Sequence, residues 1–121
     1  MTHRPEDSSF CKGILPVAFV LSVPGTDEAH KGKPVAGDTG ENLDMALVLL
    51  HEKLPTVFGS KNRYDYRITN AYNQPIAVGL GHSSSEATNA QIQNPQNMCR
   101  VMQDIEGCTY VVLCGVKAKL L

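Results

Sequence analysis

Ile14-Leu15-Pro16-Val17-Ala18-Phe19-Val20-Leu21-Ser22-Val23-Pro24-Gly25 decides how the rest of the chain is read. From Ile14 to Val23 the run carries no charge and is rich in Val and Leu, and Pro24-Gly25 then stops it. A short, continuous apolar run closed by turn residues predicts a buried β-strand. It has only about half the roughly 20 residues that a membrane-spanning helix requires. Residues 1–9 are polar rather than signal-like, so the sequence predicts a soluble, cytoplasmic protein without a membrane partner.

Downstream of this strand, Gly25, Gly32, Pro34, Gly37 and Gly40 predict a long shaped loop. Asp38 and Glu41 have the spacing of a capping box, and Leu43, Leu47, Leu50 and Leu54 recur at helical intervals. Together they predict a helix from about Thr39 to Leu54, ended by Pro55. Tyr64 to Ala71 reads as a second strand, and Asn73 to Ala90, with Pro75, Gly79, Gly81 and three serines, as mostly loop. Asn94 followed by Pro95 opens another helix, Met98, Val101, Met102 and Ile105 give it an apolar face, and Gly107 closes it. Cys108 to Val116 is the third strand, and Lys117 to Leu121 begins a further helix.

Strands alternating with helices predict an α/β fold with a mainly parallel sheet flanked by helices on both faces. Its ligand site is expected at the carboxyl ends of the strands. With 121 residues and 42% hydrophobic content the chain builds one core: a polar arm over 1–12 and an α/β domain over 13–121. Eleven Lys and Arg against 12 Asp and Glu leave a formal charge of −1, so any contact with DNA is local rather than drawn by an overall basic field. The four cysteines, Cys11, Cys99, Cys108 and Cys114, form no C-x-x-C pair and read as reduced thiols, with no metal and no cofactor expected.

Pro24-Gly25-Thr26-Asp27-Glu28, then Gly32-Lys33-Pro34-Val35-Ala36-Gly37, then Gly40-Glu41-Asn42-Leu43-Asp44 resembles the first motif of the uracil-DNA glycosylase superfamily, particularly its bacterial and archaeal iron-sulfur branch. In that family a strand enters G-E-x-P-G-x-x-E, then G-R-P-F-V-G, then a glycine that opens a helix containing L-L-D. Arg67-Ile68-Thr69-Asn70 resembles its strand ending in I-T-N, and Val111-Val112-Leu113-Cys114-Gly115 a later strand. The likeness runs from about Phe19 to Leu121. It implies a three-layer, uracil-DNA-glycosylase-like fold and a hydrolase of base excision repair that removes uracil or a related damaged base from DNA.

A glycosylase holds a flipped-out base by its polar edge while the N-glycosidic bond stretches toward a cationic sugar and a base anion. The resemblance gives Asn70 the reading of the base edge, a task that suits an amide able to donate and accept. It places Val23, Pro24, Gly25, Val35 and Gly37 around the base. The family's acid falls at Ser22, which carries no charge, and its stacking aromatic falls at Val35, which forgoes about 1 to 3 kcal/mol of stacking. The H-P-S loop whose histidine stabilises the base anion has no counterpart in the sequence, and His82-Ser83-Ser84 follows the wrong strand to supply it. Two of the iron-sulfur branch's four cysteine positions are Ile14 and Asn73-Gln74, so a four-thiolate cluster is not expected. Two readings stay open: an N-glycosylase acting on DNA, and a catalytically defective relative that binds a nucleic acid, a nucleotide or a protein. A C-terminally incomplete sheet with an uncovered edge further predicts a homo-oligomer.

Overall fold

The structure is a computed structural model that describes residues 4–121. Three strands, β1 (Val17–Leu21), β2 (Arg67–Asn70) and β3 (Tyr110–Leu113), form one sheet in the order β2-β1-β3. Both neighbours of β1 run parallel to it, with Phe19 level with Ile68 on one side and Val112 on the other. The apolar run thus becomes the central strand, and an α/β architecture with a parallel sheet follows as the sequence predicts. All three strands are shorter than the sequence ranges suggest, because the flanking residues leave the ladder for turns. Arg63–Asp65, for example, is a 3₁₀ turn that delivers the chain into β2.

Between β1 and β2 lie two helices, α1 (Thr26–Lys31) and α2 (Asp38–Lys53). Helix α1 corrects the expectation of a loop from Pro24 to Gly40. Glu28, three residues after Gly25, reaches back to the Gly25 N–H, and Gly32 ends the helix at φ +69°. Helix α2 begins one residue earlier than expected, with Asp38 as its first helical residue, so Asp38 and Glu41 form no capping box. Gly37 is the N-cap, and its own N–H is taken by Glu28.

Leu43 and Leu47 of α2 pack against Val17, Phe19 and Ile68 of the sheet, with Phe58 and Tyr66 closing the cluster. The Phe19 and Tyr66 rings meet edge to face at 5.3 Å and 77°. Each such side chain contributes about 1.5 to 3 kcal/mol on full burial, so this cluster is the main source of cohesion. Leu54, at 49% exposed, lies beyond the apolar stripe.

The other crossover contains α3 (Asn89–Gln93) and α4 (Pro95–Asp104), with the Asn94 side chain accepting from the Gln96 N–H and Pro95 in the first turn. Helix α4 is anchored on β2 by Asp104, which is 3% exposed and accepts from Thr69 Oγ1 at 2.7 Å and Arg100 Nη1 at 2.9 Å. Met102, placed by sequence on the apolar face, is 65% exposed, because α4 lies over β2 and does not reach across β3. The segment after β3 forms only a 3₁₀ turn over Ala118–Leu120. No helix among the described residues is long and apolar enough to cross a membrane.

The arm expected over 1–12 is not loose where it is described; Met1 to His3 lie outside the described residues. Phe10 is fully buried, and Cys11 exchanges two backbone hydrogen bonds with Ile68 at 2.9 and 2.8 Å, covering the free edge of β2. Arg4 donates to both oxygens of Asp104, at 3.0 and 3.1 Å. Burial opposes the charge on this guanidinium, but Asp104 and Asp7 outweigh it and raise its pKa above the ordinary value. A buried aromatic and a partly buried ion pair thus dock a segment whose polar composition suggests solvent.

Candidate functional site

The carboxyl ends of β1 and β2 remain zipped together past the strands themselves. The Ala71 N–H donates to Leu21 O at 2.7 Å, Tyr72 to Ser22 O at 3.1 Å and Ile76 to Pro24 O at 3.0 Å. This ladder fixes Ser22, Val23 and Pro24 beside Asn70, at the position where α/β sheets bind ligands.

Glu28 organises the loops on the other side. Its Oε1 accepts from the Gly25 N–H at 2.8 Å, and its Oε2 accepts from Ala36 at 2.8 Å and Gly37 at 2.9 Å. One carboxylate therefore joins the turn after β1 to the loop before α2 by three charge-assisted bonds. Between these anchors Val35 is buried with φ +45°. A β-branched residue in the left-handed region is strained, and such strain is characteristic of functional loops. A side chain at Gly40 would collide with the Val35 carbonyl and the Arg63 guanidinium, so glycine is required for α2 to approach this loop.

Leu21, Val23, Pro24, Glu28, Val35, Thr39 and Asn70 enclose a cavity of about 30 Å³. Four of the seven residues expected at the site, Val23, Pro24, Val35 and Asn70, line it. Gly25 and Gly37 stand one hydrogen bond away through Glu28. Ser22, at the position of the family acid, contributes its carbonyl to the Tyr72 N–H rather than lining the cavity. The space suits a water molecule. A pyrimidine ring is several times larger and would enter only if the lining opened.

Asn70 is 3% exposed, and its Nδ2 donates to Ser9 O at 3.1 Å. The amide expected to read a base edge is thus already spending a donor on the N-terminal segment. Glu28 is the only carboxylate among the cavity's lining residues, and both its oxygens are engaged with backbone N–H groups. The site can offer hydrogen bonds to a polar ring edge, but no uncommitted carboxylate to steady a cationic sugar.

A second concavity, which sequence reading missed, opens beside the end of β2. Tyr72, Asn73, Gln91, Asn94, Gln96, Asn97 and Arg100 line a polar cleft of about 420 Å³. Arg100, one of its lining residues, donates to Thr69, Asp104, Ala71 O and Asn97. Burial lowers its pKa from the ordinary value against the pull of Asp104. The Arg100 and Asp104 spacing of one helical turn was visible in the sequence, but nothing there showed that β2 would bury the pair.

Among the described residues no group of three or more His, Cys, Asp or Glu side chains is gathered as metal ligands. Cys11 is buried and Cys99 exposed, and all four thiols are free. His82 lies on an exposed loop. No protein-family model matches the chain, and no curated protein matches it in sequence.

Proposed function

We propose that this chain is a uracil-DNA-glycosylase-like domain that recognises uracil or a related damaged base in DNA, at the cavity between Val23-Pro24, Val35 and Asn70. One observation carries the reading. Residues separated by up to 47 positions, Val23 to Asn70, assigned to one base pocket by sequence likeness alone, line one cavity at the carboxyl end of the sheet. The three-layer arrangement of that family is part of the same proposal, supported by the parallel sheet and its order.

Excision is the family's activity, and here it has less to work with. Hydrolysis of the N-glycosidic bond needs negative charge near the sugar and a donor for the departing base anion. Ser22 supplies no charge, and the Glu28 carboxylate is committed to three N–H groups. We therefore favour recognition with slow or absent excision over a full glycosylase. The two readings separate in one experiment on single-stranded oligonucleotides with and without uracil, measuring binding by fluorescence anisotropy and free uracil by chromatography. Preferential binding without release supports recognition, release that depends on Asn70 supports the glycosylase, and equal binding of both oligonucleotides refutes the base pocket.

A further inference from the structure

The polar cleft beside the end of β2 sets hydrogen-bond donors next to a positive charge, and the bonds its side chains already make fix that polarity. Gln91 Oε1 accepts from the Thr88 N–H at 2.8 Å, and Asn94 Oδ1 accepts from the Gln96 N–H at 2.9 Å. A backbone N–H pairs only with the oxygen of an amide side chain. Gln91 and Asn94 are therefore held in one orientation, and their NH₂ groups are left for the cleft they line. Asn97 is spent on structure instead: its Nδ2 donates to Ala71 O and Ile92 O at 2.7 and 2.8 Å, and its Oδ1 accepts from Arg100 Nη2 at 2.7 Å. No Asp or Glu lines the cleft, and Arg100 is its charged residue. Asp104 answers that charge but is shared with Arg4, and the Arg100 Nε is buried without a partner among the described residues.

We propose that this cleft of about 420 Å³ binds a phosphate oxyanion, held by the NH₂ groups of Gln91 and Asn94 and by the charge of Arg100. A ligand made of acceptors alone matches donors that cannot turn over, and charge-assisted bonds to an anion are the stronger kind. A tetrahedral anion offers oxygens in several directions, so it meets donors from both sides of the cleft, whereas a carboxylate offers two in one plane. Arg100 Nη2 and Asn97 Nδ2 both donate to Ala71 O, the residue after Asn70, so the cleft adjoins the base cavity along the chain. The phosphate is either a free anion or a phosphodiester of the strand whose base enters that cavity. Only the second source rests on the base-binding reading. Contacts of this kind position a strand and carry no sequence information, so the cleft contributes affinity rather than base choice.

Asn94→Asp and Gln91→Glu test the proposal, because each keeps the oxygen that caps its helix and replaces the outward NH₂ by an oxygen of a charged carboxylate. Both variants should unfold in urea at or above the midpoint of the unsubstituted chain. Inorganic phosphate, compared with chloride at the same ionic strength, should shift the amide NMR resonances of Gln91, Asn94, Gln96 and Asn97 in the unsubstituted chain. Each substitution should lower the phosphate affinity about tenfold or more, through charge repulsion and the lost donor. A uracil-free single strand that displaces the phosphate identifies the phosphodiester as the source, and phosphate binding that the strand leaves undisturbed identifies a free anion. Uracil preference is read separately, in Asn70→Ala, so failure of the base pocket leaves these outcomes unchanged. Absence of shifts at those amides with both phosphate and the strand overturns the proposal, as does the same response to chloride or an unchanged phosphate affinity in both folded variants.

Discussion

Glu28→Gln removes the charge that joins the two loops of the candidate site while leaving the side chain's length unchanged. In the native protein one carboxylate oxygen serves Gly25 and the other serves Ala36 and Gly37. Glutamine has one oxygen, and its NH₂ turned toward backbone N–H groups is repelled. The variant therefore keeps either the Gly25 bond or the Ala36 and Gly37 pair, not both. A hydrogen bond to a charged group contributes about 1.5 to 3 kcal/mol net, and Glu28 is only half-buried, which places the expected loss at about 2 to 3 kcal/mol. For a domain of this size that corresponds to a fall in Tm of roughly 8 to 12 °C. The loss should be local first: amide exchange at Ala36 and Gly37 should accelerate, and the strained Val35 should relax, before β1 and β2 are affected. Urea unfolding of the two proteins, with residue-resolved exchange, measures both effects. A stability change below about 0.5 kcal/mol with unchanged exchange at Ala36 and Gly37 would refute the claim that Glu28 builds the pocket.

Asp104→Ala should cost about 3 to 5 kcal/mol in urea unfolding, because it leaves Arg100 beside β2 without its counter-charge and Arg4 with Asp7 alone. Gly40→Ala should lose about 1 to 2 kcal/mol, since the gain in helix propensity is smaller than the cost of displacing the Val35 carbonyl; thermal unfolding decides the sign. Burial, reinforced by Glu6, pushes the Cys11 thiol from 9.0 up to about 11, so a thiol reagent at mild alkaline pH should label exposed Cys99 first and Cys11 only after unfolding. The raised folded pKa makes this group's contribution to stability full below pH 9.0 and lost as pH rises to about 11, a decline that Cys11→Ala should flatten in alkaline unfolding curves.

What the sequence made legible was periodic or uninterrupted. The Ile14 to Val23 run gave the central strand, Leu43 and Leu47 gave the buried face of α2, and Asn94-Pro95 gave the start of α4. Helix α1 was hidden because none of its residues is buried, so it has no apolar stripe. Its signal was the Gly25 to Glu28 capping spacing followed by Gly32, which a search for hydrophobic periodicity passes over. The docked arm was hidden for a related reason. Its anchors are Phe10 and an Arg4 to Asp104 ion pair spanning 100 positions, and local sequence carries no record of such a pairing. At the site, sequence likeness located Val23, Pro24, Val35 and Asn70 in one place. It did not show that Ser9 occupies the Asn70 amide or that the cavity is closed to about 30 Å³, because both depend on side chains brought in from elsewhere in the fold.

The most direct test of the central claim compares uracil-containing and uracil-free single-stranded DNA binding by the unsubstituted chain and by Asn70→Ala, with circular dichroism to establish that both are folded. The proposed base pocket predicts tighter binding of the uracil-containing strand and loss of that preference in Asn70→Ala, while affinity for the uracil-free strand stays the same. Equal affinity for the two strands, or a preference that survives in Asn70→Ala, would contradict it.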